Sequence, residues 1–215
     1  MNINKHLILL FSVLFFLFAV SVSSGCFRKN ESDVKSVVRN ELDQLKNLDS
    51  ETTQKYIPYT ELFPDATENT DLTDEINETF SLFFRKFNYK ISDVIVGTAN
   101  HSATVSVKLT TIDSKVLARD FKAELLRTQI TESAQAQKGN IKDSSRSLEA
   151  HYLILNHLLN TNDYDTAETD CNIQLVNTGN DKKEKWKIQR TNSLEDDLVG
   201  GLIWQIRISF HRKIP

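Results

Sequence analysis

Two cysteines, Cys26 and Cys171, are the only thiols in the chain. Cys26 directly follows Ser24-Gly25, at the end of an uncharged apolar run from Leu7 that is preceded by Lys5 and His6. A positive start, a short apolar run and a small-residue end form the pattern of an export signal. A thiol placed immediately after such an end can carry a diacylglycerol as a thioether, so Cys26 is the candidate lipidation site. Residues 1–25 then read as a lipoprotein signal peptide and 26–30 as a lipidated tether. Ser23 stands where such signals commonly carry Leu, and an uncleaved anchor is the competing reading. The apolar run to Val22 is slightly shorter than the roughly 20 residues that a bilayer span needs. With Cys26 lipidated, Cys171 has no disulfide partner within the chain. Cys171 shares an alternating face with Ile173 and Leu175, which predicts a buried, inert thiol rather than a reactive one.

Other residue types that do chemistry are present without the spacing that chemistry needs. His101, His151, His157 and His211 show no metal-ligand pattern. His151 and His157 are six apart and point to different sides of a helix. Each histidine is expected on the surface or a helix flank. Glu195-Asp196-Asp197 is an acidic triplet at a helix start, where the helix dipole and solvent account for it without a cation. There is no Gly-rich phosphate loop and no Gly-x-Ser-x-Gly nucleophile turn. No cofactor and no metal are therefore expected. Sequons at Asn30, Asn77 and Asn100 are chance matches in an Asn-, Ser- and Thr-rich chain.

Of the 215 residues, 26 are Lys or Arg and 29 are Asp or Glu. Residues 26–215 keep 25 basic and 29 acidic side chains, a net charge of −4. A mildly acidic chain carries no electrostatic footprint for nucleic acid. About 190 residues suit one domain with one sizeable core.

The elements follow from the apolar periods. Val34, Val37, Val38, Leu42, Leu45 and Leu48 make one stripe of a helix that Ser32 is expected to cap. Asp49-Ser50 restarts a short helical piece ending at Pro58. Asp71 or Thr73 is expected to cap a helix with Leu72, Ile76, Phe80, Phe83, Phe84 and Phe87 on one face, and these rings read as core. The period then changes to two. Tyr89, Ile91, Val94 and Val96, with a slip near Ser92-Asp93, pair as a hairpin with Ala103, Val105, Val107 and Leu109. A helical hairpin follows: Leu117, Phe121 and Leu125 after a cap at Asp113 or Ser114, then Leu148, Tyr152, Leu155 and Leu159 after Ser144 or Ser147. A second strand pair holds Thr169, Cys171, Ile173 and Leu175, then Trp186 and Ile188. Ser193 is expected to cap a last helix through Leu202, loosened by Gly200-Gly201. In the tail, 203–215, Ile206, Ile208 and Phe210 alternate with Arg207, Ser209 and His211. This alternation predicts an edge strand. The competing idea is a basic, apolar tail (Trp204, Arg207, Phe210, Arg212, Lys213) leaning on an anionic membrane. The predicted fold class is α+β: helices on an antiparallel sheet of about four strands, with an inserted helical hairpin, over 31–202.

Several stretches together resemble one family. They are the export signal, the Phe83-Phe84-Arg85-Lys86-Phe87-Asn88-Tyr89-Lys90-Ile91 passage, the Ala103–Asp113 strand, Lys185-Trp186-Lys187-Ile188 and Leu198-Val199-Gly200-Gly201-Leu202. They look like the small Gram-positive lipoproteins of unknown function that carry a nuclear-transport-factor-2-like, cystatin-like roll. The likeness spans most of 31–202. It implies helices packed into the concave side of a curved antiparallel sheet, and it brings no catalytic residues to carry over. Rolls of this shape often hold a pocket between sheet and helices, which Tyr89, Tyr152, Asp93 and Cys171 could line.

Two function classes follow. One is a non-catalytic, membrane-tethered binding or interaction module on the extracytoplasmic face of the cell membrane, with an envelope protein or small ligand as partner. The other is a small hydrolase or isomerase using the cavity of the roll. The absence of a paired acid and base in the sequence favours the first.

Overall fold

A computed structural model describes residues 30–56, 62–63, 73–97, 101–136, 147–179 and 184–211. Cys26 and the stretch expected to be a signal peptide lie outside these residues. Helix α1 occupies 30–46. Its stripe is buried as the three-and-four spacing requires, at Val34, Val38, Leu42 and Leu45. Ser32 does not cap it, because the helix is already formed there and the Ser36 hydroxyl donates back to the Ser32 carbonyl at 2.8 Å. The end is a left-handed turn. Leu48 has φ 61°, and the Asp49 amide reaches the Gln44 carbonyl at 2.9 Å, closing carbonyls that would otherwise be orphaned. Asp49 then opens α2 (Ser50–Tyr56) by accepting from the Thr52 amide at 2.8 Å and its hydroxyl at 2.6 Å.

Helix α3 (Thr73–Phe84) buries Ile76, Phe80, Phe83 and Phe84, with Phe87 just beyond it. Phe84 meets Phe83 and Phe87 edge-on, at centroid distances of 5.4 and 5.3 Å, the favoured arrangement for ring quadrupoles. The chain then enters β1 (Asn88–Val96) and β2 (Ser102–Ile112), paired antiparallel with one register shift between Ile91 and Asp93. That shift is a β-bulge, and it restores inward pointing to Val94 and Val96 after the predicted slip.

Asp113 caps α4 (Ser114–Ala136), accepting from the Lys115 amide at 3.0 Å. Ser147 caps α5 (Leu148–Thr161), accepting from the Ala150 amide at 3.1 Å. These two helices pack together as the helical hairpin between the strand pairs; its connection, 137–146, lies outside the described residues. Next come β3 (Thr166–Asn177) and the short β4 (Trp186–Ile188). The sheet is four-stranded and antiparallel in the order β1-β2-β3-β4. One face is apolar and buried: Ala103, Val105, Val107 and Leu109 beside Cys171, Ile173 and Leu175. The other is polar, with Thr104 donating to Gln174 and Ser106 to Asn172, both at 2.9 Å. The chain is thus α+β, as its periods predict.

The C-terminal region departs from expectation. Thr191, not Ser193, caps α6 (Asn192–Leu198) by accepting from the Leu194 amide at 3.1 Å. Gly200 and Gly201 both take positive φ, 61° and 82°. A Cβ on Gly200 would strike the Thr111 side chain, so the helix stops here. The tail then forms a second helix, α7 (Leu202–His211), and not an edge strand. Leu202, Ile203 and Ile206 are its buried positions. Spacings of one, three and four fit a helix, and over so few residues a period of two does not exclude it. What decides is Asp196, whose carboxylate accepts from the Trp204 amide at 3.0 Å and caps the new helix, together with packing against α4.

Candidate binding groove

Of the four polar groups that a roll pocket could gather, Tyr89 and Asp93 border one groove, while Tyr152 and Cys171 lie buried elsewhere. Tyr152 is fully buried, edge-on to Phe63 at 5.3 Å and near Phe80 at 6.3 Å. Asp93 is exposed at the bulge. Cys171 is buried and free; burial and the neighbouring Asp197 push its thiol up to about 12, so it stays protonated and is no nucleophile. Tyr89 donates to the Asp43 carboxylate at 2.6 Å. Burial and that acceptor push its hydroxyl up to about 12 as well.

Two expectations about charged groups need correction. His151 is neither on the surface nor at a flank. It is buried, stacked on Phe63 at 4.9 Å and tilted against Phe121 at 5.8 Å, and burial lowers its proton affinity. The apolar positions of α5 wrap further round the helix than its leucines alone indicate, because Phe63 arrives from a distant part of the chain. Nor is the acidic triplet a solvated helix start. Glu195 is 4% exposed and pairs with Arg190 at 2.8 Å. Asp196 caps α7, and Asp197 takes the Cys171 thiol, its own carboxyl held above the usual range by burial. Arg190 also acts on the buried Tyr56 hydroxyl, which burial and Glu41 hold well above its ordinary range. Glu41 pairs with Lys55 at 2.7 Å. A chain of charges thus links α1 and α2 to α6, which no pairwise spacing in the sequence signals.

A groove runs between α1 and the edge strand β1. One part, about 440 Å³, is lined by Glu31, Ser32, Lys35, Ile91, Asp93 and Val94. It continues through Lys35 and Ile91 into a part of about 320 Å³ with Arg39, Asp43, Lys46 and Tyr89. Lys46 donates to the Asn88 side chain at 3.0 Å and closes that end. One wall is a row of cations on α1. The other is the unpaired edge of β1, interrupted by its bulge. Among the described residues that line it, Tyr89 holds its proton and engages Asp43, and the Ser92 hydroxyl donates to the Ser106 carbonyl at 3.0 Å. The arrangement can bind through polar and charged contacts. Among the described residues no group of three His, Cys, Asp or Glu could hold a metal ion. No described helix is long and apolar enough to cross a membrane.

No family model, no curated protein and no solved structure matches this chain.

Proposed function

We propose that the protein is an extracytoplasmic lipoprotein, held to the cell membrane through Cys26, whose folded domain is a non-catalytic binding module. The export signal ending in Ser24-Gly25-Cys26 supports the tether. The four-stranded sheet with one face buried under helices agrees with a nuclear-transport-factor-2-like roll, and the bulge in β1 is a device that bends a sheet. The observation that carries the binding reading is the groove between α1 and β1: open, lined by Lys35, Arg39 and Tyr89, with that tyrosine holding its proton and engaging Asp43. The pocket-enzyme alternative loses support because Tyr152 and Cys171 are buried away from the groove that Tyr89 and Asp93 line.

A photo-crosslinking side chain at Ser92, on the groove wall, tests the reading in the intact cell envelope, with Thr104 on the polar sheet face as control. The expected result is a discrete adduct from position 92 that is lost when Lys35 and Arg39 are both changed to Glu. Equal adducts from the two positions, or an adduct indifferent to those charges, would overturn it.

A further inference from the structure

The strand register assigns each helix end to one end of the sheet. At the turn between β1 and β2, Val96 faces Ala103; at the far end, Asn88 faces Thr110 and Ile112 faces Thr166. Helix α1 runs antiparallel to β1, because Lys46 and Asp43 bond to Asn88 and Tyr89 while Glu31 and Ser32 border Ser92–Val94. The head of α1 is therefore at the turn end. Helix α7 starts at the other end: Gly200 lies against Thr111, and the Ser114 hydroxyl donates to the Gly200 carbonyl. Six strand steps, from Val105, the partner of Val94, to Thr111, separate the two levels by about 20 Å.

The chain from Cys26 to the head of α1 at residue 30 is four residues long and reaches at most about 14 Å. On the outer face of the sheet at this end stands Ile95, 59% exposed. We infer that the tethered protein meets the lipid surface with the turn end of its sheet, through the head of α1 and Ile95, and holds the opposite end, where Gly200 meets Thr111, away from it. The inference rests on lipidation at Cys26.

The test uses the full lipidated protein on vesicles of phosphatidylcholine and phosphatidylglycerol that carry nitroxide headgroups. A bimane fluorophore is placed at Ile95→Cys or at Lys90→Cys, both exposed positions of β1; Cys26 is then blocked by lipid and Cys171 by burial. Quenching is expected to be stronger at 95 than at 90. A second pair on one strand, Thr104→Cys and Thr110→Cys, should show the same gradient, stronger at 104. Equal quenching, or stronger quenching at 90 or 110, would overturn the orientation in a protein shown by mass spectrometry to carry the lipid. Protein that lacks the lipid and fails to float with vesicles would overturn the tether reading and the orientation with it.

Discussion

At Cys171 the thiol faces Asp197 beneath the inner surface of the sheet, in register with Val107. Its reactivity is set by access and by its thiolate fraction, and both are low here. Native protein should react with a maleimide only on unfolding, whereas denatured protein should react at once; fast native labelling would move Cys171 to the surface. His151 makes a different prediction, because its charge can change near neutral pH. Burial among Phe63 and Phe121 lowers its affinity for a proton below the ordinary 6.5, with the Ser147 backbone opposing. The unfolded chain then binds the proton more readily than the folded one. The stability that His151 contributes is present above pH about 6.5 and lost as pH falls toward its lowered folded value. Urea midpoints at pH 7.5 and 5.5 should therefore differ more in the wild type than in His151→Phe. Parallel shifts in the two proteins would show that His151 is not responsible.

Among the elements, α7 shows how a pattern can be read two ways. Its apolar residues satisfy a strand or a helix, and among the described residues no further strand joins either sheet edge, β1 or β4. The helix buries Ile203 and Ile206 against the body. Each such side chain is worth about 1.5–3 kcal/mol, so deleting 203–215 should cost roughly 3–6 kcal/mol, a large share of the roughly 5–15 kcal/mol that holds a domain together. Urea denaturation measures it, and a midpoint unmoved by the deletion would show that α7 does not belong to the core. The bulge at Ile91–Asp93 was legible, by contrast, because only an inserted residue keeps Tyr89, Ile91, Val94 and Val96 on one face. The caps were legible in part. Ser147 and Asp113 stand just before clear apolar runs, whereas Thr191 displaced Ser193 because the chain leaves β4 only three residues earlier.

For the whole molecule, the proposed attachment depends on one atom. Cys26→Ala should prevent diacylglycerol transfer and release or mislocalise the protein, checked by mass spectrometry of the mature N-terminus and by membrane fractionation. A variant that stays bound and processed exactly like the wild type would remove the lipid from the account. The rest of the molecule is one core, in which α1 and α2 are joined to α6 through Glu41, Tyr56, Arg190 and Glu195. The sequence by itself determined the α+β class, the four strands and their inward residues, the phenylalanine face of α3 and the burial of Cys171. All of these follow from local periodicity, which records the side of an element that must leave water. Only the tertiary structure decided the helical tail, the burial of His151, the partners of Glu195 and Asp197, and the groove between α1 and β1. Each depends on residues brought together from distant parts of the chain, and no local period encodes which distant side chain will supply the neighbour.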